Sequence, residues 1–182
     1  MKVVFSEKGG TMEIQKISKN QLDEILDLVL WAELEALSID NPADRAWITN
    51  KLNKLEASGC EFFGCFCNDK IIGFATILIE DRPAIACDGY GACELMQLGI
   101  RQEYRNKNCG SLMLQYIENY LKSKKVYCMY MHTYASDYSV VAFYGKNGYI
   151  PRGVVPDVYG PNLHGMIYMS KPLSDEKVKS NP

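Results

Sequence analysis

From Arg105 to Ser111 the chain reads Arg-Asn-Lys-Asn-Cys-Gly-Ser, a set of residue types suited to holding an anion. The stretch lies between a strand-like run, Glu94 to Ile100, and an amphipathic helical run, Ser111 to Lys122. A turn that feeds directly into a helix leaves backbone N–H groups without acceptors in the helical ladder, and these carry the positive end of the helix dipole. A phosphate or pyrophosphate is the ligand such a turn suits. Gly110 has no Cβ, so a phosphate oxygen can approach its backbone closely. Asn108 is one of the few non-glycine residues that enters the left-handed region at low cost. Asn106, Lys107 and Cys109 complete the turn.

The pattern Arg105-x-x-Asn108-x-Gly110 resembles the Gln/Arg-x-x-Gly-x-Gly/Ala pyrophosphate loop of the GNAT N-acetyltransferases, with Asn108 where that family usually has Gly. Leu98 to Tyr104 resembles the end of the family's fourth strand and its lead-in turn. Further on, Asp137-x-x-Val140-x-x-Phe143-Tyr144-x-x-x-Gly148-Tyr149 is similar to the family's Asn-x-x-Ala-x-x-Leu-Tyr-x-x-x-Gly-Phe, with Asp137 replacing Asn. The resemblance spans residues 12–172. It implies acetyl-CoA as cosubstrate, no metal, and transfer of the acetyl group to a primary amine by direct attack in a ternary complex. The acceptor it implies is a small molecule or a peptide. Two alternatives stay open: a non-catalytic acyl-CoA-binding module, and a protein acetyltransferase acting on N-termini or lysines.

Acyl transfer to an amine needs a base for the ammonium proton, a donor for the developing oxyanion and an acid for the leaving thiolate. The resemblance implies Glu94 as the base, because histone-type members carry a Glu at that place on the fourth strand, eleven residues before Arg105. Strand alternation puts Glu94, Met96, Leu98 and Ile100 on one face. The resemblance implies Tyr144 as the acid, backbone groups of Leu98 and Ile100 along the pantetheine arm, and Asp137 near it. Gly99 marks either a bulge that opens the strand or a point of crowding. Cys109 is either a redox-sensitive thiol at a helix start or a small packing side chain. Glu33, Glu35, Asp40 and Asp44 either hold a cationic acceptor or form a solvated face. Trp31, Trp47, Tyr90 and Tyr159 either wall the acceptor pocket or belong to the core.

The elements that must position these residues can be read from periodicity. Met12 to Ile17 alternates as a strand. Asn20, with Asp23 three residues on, predicts a helix start, followed by Leu22, Ile25, Leu26, Val29 and Leu30 at helical spacing. Asn41-Pro42 predicts a second start, with Ile48, Leu52 and Leu55 on its inner face. Glu61–Cys67 and Ile71–Glu80 form a hairpin around Asn68-Asp69-Lys70. Residues 81–91 read as loop. After the anion turn, the predicted helix buries Leu112, Met113, Tyr116, Ile117 and Tyr120. Val126 to Thr133 is a strand, Asp137 to Lys146 a helix closed by Asn147-Gly148, and Tyr149–Val154 and His164–Lys171 the last strands. The order matches an α/β (α+β) fold of the GNAT type, a mixed, mostly antiparallel central sheet flanked by helices. The expected organisation is an N-terminal extension over 1–11, one domain over 12–172 and a polar tail over 173–182.

Composition bounds the function. The 182 residues carry a formal net charge of −2 and are 47% hydrophobic, enough for a real core. That charge balance argues against nucleic acid as partner. No apolar run is long enough to predict a membrane partner or a secretory leader, so a cytoplasmic protein is expected. The seven cysteines, Cys60, Cys65, Cys67, Cys87, Cys93, Cys109 and Cys128, form no C-x-x-C pair and fit reduced thiols rather than a metal or disulfide framework. A homodimer stays open.

Overall fold

A computed structural model describes residues 3–7, 10–33, 37–80, 91–158, 160 and 165–173, with side chains from Met12 onward. Its helices are α1 (Leu26–Glu33), α2 (Pro42–Ala57), α3 (Cys109–Ser123) and α4 (Tyr138–Lys146). Its strands are β1 (Val3–Glu7), β2 (Gly10–Ile17), β3 (Glu61–Cys67), β4 (Lys70–Glu80), β5 (Gly91–Ile100), β6 (Val126–Tyr134), β7 (Ile150–Val155) and β8 (Met166–Pro172). The chain forms two compact units, residues 1–79 with 95–117, and 80–94 with 118–182. The expected α/β class with mostly antiparallel pairing is observed. The exception is the parallel pair β5–β6.

In the first unit, β1 to β4 pair antiparallel in sequence order, with β5 beside β4. Asn68 and Asp69 both have positive φ, 47° and 64°, as a tight two-residue hairpin requires. Both faces of β3 are covered, which explains its almost continuous burial. On one face Phe62 joins Leu28, Val29, Ile48, Leu52 and Phe74 in a core built with α1 and α2. Burying each such side chain is worth about 1.5–3 kcal/mol. On the other face Phe63 meets the ring of Tyr116 from α3 edge-on, centroids 6.0 Å apart.

Caps decide where the helices start. Asn41 caps α2 as expected, its Oδ1 accepting from Ala43 N at 2.9 Å. Ahead of α1, Asn20 does not hold the expected cap. The chain turns at Ser18, whose N–H bonds Gln21 Oε1 at 3.1 Å, and a 3-10 turn, Lys19–Ile25, precedes the α-helix. Gln21 satisfies the N–H of Ser18, two residues before Asn20, so the turn starts at Ser18. β1 was not expected; it lies within the stretch read as an extension. The expected loop over 81–91 lies outside the described residues except Gly91, which opens β5. No helix among the described residues is long and apolar enough to cross a membrane.

In the second unit, β6 pairs with residues 91–94 of β5 on one side and with β8 on the other, and β8 pairs with β7. Met129, Met131 and Met169 are buried on one face, with Tyr144 and Tyr149. There the Tyr149 hydroxyl donates to Glu118 Oε1 at 2.9 Å, and Lys171 Nζ donates to Glu118 Oε2 at 2.7 Å. Cys128, Tyr130 and His132 alternate onto the opposite, more open face.

Candidate active site

The anion turn lies in the first unit and has the backbone shape its sequence suggests. Asn106 and Asn108 sit in the left-handed region, φ 58° and 62°. Asn is the non-glycine residue that tolerates this best. The carbonyl of Asn108 accepts from Leu112 N at 3.0 Å, closing the first helical turn. Helix α3 therefore begins at Cys109, two residues before the expected Ser111. The N–H groups of Cys109, Gly110 and Ser111 belong to that first turn and have no acceptor in the helix's own ladder.

The side chains around this turn are braced. The Arg105 guanidinium stacks over the Trp31 ring at 4.1 Å, and its Nε donates to Ile100 O at 3.0 Å. Lys107 Nζ lies over the Tyr104 ring at 5.4 Å. Cys109 is only 2% exposed, its sulfur 3.4 Å from that of Met12, so it packs as a small side chain. β5 runs into the turn with Met96, Leu98 and Ile100 partly open and Leu95, Gln97 and Gly99 buried, the expected alternation. Gly99 answers crowding: a Cβ there would come within 2.6 Å of Phe74 Cε1. Gly73 answers the same pressure from Ile100, whose Cδ1 would lie 2.4 Å from an added Cβ.

Acids near the first helices take definite roles. Glu33 accepts from Lys51 Nζ on one oxygen and from Gln97 Nε2 on the other. Gln97 in turn accepts from the buried Thr76 hydroxyl at 2.8 Å. Glu33 is thus a structural anchor with its charge already matched. Asp44 accepts from Ser38 N at 3.0 Å. Trp31 and Trp47 are 37% and 42% exposed, so neither is core. Glu35, Tyr90 and Tyr159 lie outside the described residues.

The second unit holds Glu94, Tyr144 and Asp137. Glu94 stands beside Tyr130 in the parallel β5–β6 register. Its Oε1 is 3.2 Å from His132 Nδ1, and its Oε2 is 3.5 Å from the Tyr130 hydroxyl. Tyr130 gives its proton more directly to Glu80 Oε1, at 3.0 Å. Burial first, then the Glu94 and Glu80 charges, pushes the Tyr130 phenol well above its ordinary value, so it acts as a donor. Sequence reasoning missed Glu80, Tyr130 and His132. The alternation of residues 126–133 was the signal for two of them, but only the strand register brings them to Glu94. Tyr144 is buried on α4, its ring edge-on to Phe143 and to Tyr149, and burial pushes its phenol well up. Asp137 caps α4: its Oδ1 accepts from Val140 N at 3.1 Å and from Ser139 Oγ at 2.8 Å.

Comparison with known proteins bears on this arrangement. Residues 22–149 match the model of the Acetyltransferase (GNAT) family. Spermidine N(1)-acetyltransferase of Thermoplasma acidophilum is 24% identical over 151 residues, covering 76% of this chain and 88% of that protein. Among solved structures, the ribosomal-protein-S18-alanine N-acetyltransferase of Escherichia coli superposes with a TM-score of 0.69 at 15% identity, over 94% of this chain and 99% of its own. The PaiA N-acetyltransferase of Thermoplasma acidophilum, solved in complex with coenzyme A, gives 0.62 at 22% identity, over 88% and 98%.

Proposed function

Because this chain belongs to the Acetyltransferase (GNAT) family and is an acetyl-CoA-dependent N-acetyltransferase, we propose that it acetylates a primary amine of a small molecule or peptide by direct attack in a ternary complex. The observation that carries the reading is the turn of two left-handed asparagines opening α3. Its donor set fits a pyrophosphate: first-turn N–H groups of Cys109, Gly110 and Ser111, flanked by Arg105 and Lys107. Asn106 and Asn108 shape that cradle, and Leu98 and Ile100 offer strand backbone to the rest of the coenzyme. Bound acetyl-CoA supplies an acetyl group already activated as a thioester. Glu94 serves the removal of the amine's proton, and Tyr144 holds a proton at its phenol oxygen for the departing sulfur. Spermidine and a protein alanine, the acceptors named for two similar proteins, are both amines, which supports nitrogen as the attacking atom.

The test joins binding to turnover. Acetyl-CoA should bind and raise the melting temperature by mass action on the native state. Gly110→Leu should remove most of that shift, because a side chain there blocks backbone approach. Thiol release should follow when an amine panel is added. No binding at saturating acetyl-CoA, or acetylation of alcohols alone, would overturn the reading.

A further inference from the structure

One face of the second unit gathers more titratable groups than Glu94. His132 follows Tyr130 by two residues on β6 and stands across from Tyr168 of β8, ring centroids 5.6 Å apart. Its Nδ1 is buried and lies 3.2 Å from Glu94 Oε1, with no hydrogen-bond partner of good geometry among the described residues. The His132 side chain is nevertheless 33% exposed, against 15% for Glu94. That exposure falls on side-chain atoms other than Nδ1.

A neutral imidazole has one N–H and one lone pair. If the lone pair sat on Nδ1 it would face a carboxylate oxygen, and a buried acceptor would meet an acceptor with no proton between them. That costs the desolvation of both groups. The tautomer with Nδ1–H directed at Glu94 avoids this, and it leaves the lone pair on Nε2. Glu94 is meanwhile enclosed, with Oε1 toward His132 and Oε2 toward Tyr130. From this geometry we infer that His132, through Nε2, is the catalytic residue that takes the acceptor amine's proton, and that Glu94 is the positioning residue that fixes its tautomer.

This deepens the N-acetyltransferase reading and rests on it. In the step, the ammonium N–H bond breaks and its electron pair stays on nitrogen. The proton bonds to Nε2, giving an imidazolium that the Glu94 carboxylate neutralises, and it then passes to water. The other groups facing the pair are Glu80 from β4, Tyr130 from β6 and Tyr168 from β8. Arg152 of β7 holds Ser170 Oγ at 2.8 Å, two residues further along β8. The Tyr130 hydroxyl lies within reach of both carboxylates, nearer to Glu80.

The chain has two histidines, so nitrogen-15 imidazole spectra resolve each one, assigned with His132→Asn. In its neutral form His132 should show a protonated Nδ1 and a bare Nε2. His132→Asn and His132→Gln should lose about 10²–10⁴-fold in kcat for amine acetylation and lose the acidic limb of the pH profile. Their melting shift with acetyl-CoA should be kept, which reports that they are folded. Glu94→Gln should keep the acidic limb that the His132 variants lose, with a lower kcat because the ring is no longer held in one tautomer. A spectrum showing the Nε2–H tautomer would overturn the inference. So would a limb that survives in His132→Asn and vanishes in Glu94→Gln, the signature of Glu94 as the base itself. A wild-type chain that acetylates no amine overturns the N-acetyltransferase reading as well. An active wild type with an unaltered His132→Asn overturns this inference alone.

Discussion

Tyr144 is the residue at which placement and chemistry pull in different directions. Its ring is 7% exposed and wedged between Phe143 and Tyr149, as a packing side chain would be. Burial pushes the phenol well above its ordinary value, so the hydroxyl keeps its proton through neutral and alkaline pH. A phenol in that state is a weak acid on its own, yet it can pass a proton to a thiolate, which is a stronger base once desolvated. Tyr144→Phe separates the two roles, since the ring contacts remain and only the hydroxyl goes. If the hydroxyl supplies the proton, kcat should fall by about 10²–10⁴-fold with acetyl-CoA affinity unchanged. Steady-state kinetics with calorimetric binding check this, and an unchanged kcat would return Tyr144 to packing alone.

At the level of elements, what was legible in the sequence is what local chemistry fixes. The hairpin around Asn68-Asp69-Lys70, the Asn41 cap and the left-handed Asn108 all follow from residues that act on their own backbone, while the left-handed Asn106 emerged only in the structure. Where two local signals competed, at Ser18 and Asn20, the reciprocal Ser18–Gln21 pair prevailed. β1 left no local mark; it is set by its pairing with β2. One tie between elements carries a pH signature. Arg101, just past β5, bonds Asp27 of α1 through both terminal nitrogens, at 2.9 and 3.2 Å. Burial pushes the Asp27 carboxyl up, but the hydrogen bonds and charge of Arg101, with a backbone N–H, outweigh it and hold the group below its ordinary value. A carboxyl depressed in the folded state favours folding above its unfolded pKa, and that contribution is lost as pH falls through the folded value. Asp27→Asn should therefore lower the melting temperature at neutral pH and have less effect at strongly acid pH. The Asp27 side chain is half exposed and that of Arg101 partly so, so the shift should be small and should shrink with salt. A deficit that persists unchanged into strong acid would count against the ion pair as its cause.

For the molecule as a whole, the sequence revealed the balance of charge but not where unmatched charge sits. The net charge is −2, and Glu33, one of four acids read as a possible acceptor site, is already matched by Lys51. Glu80 and Glu94 instead share one face with a single histidine. Neither is paired with a Lys or Arg among the described residues. No local pattern could show this, because it depends on the parallel register that sets Tyr130 beside Glu94. If the amine is drawn to that face, attraction should scale with the acceptor's charge. KM for a polyamine should then rise with salt as screening shortens to about 10 Å at 0.1 M, while KM for a monoamine should change far less. Glu80→Gln should raise the polyamine KM at low salt, leave acetyl-CoA affinity unchanged, and lose most of its effect at high salt. It should also leave the bare Nε2 of His132 in place, since Glu94 and not Glu80 faces Nδ1. A polyamine KM indifferent to both salt and Glu80→Gln would mean that acceptor recognition comes from elsewhere, while leaving the anion turn and the His132–Glu94 pair untouched.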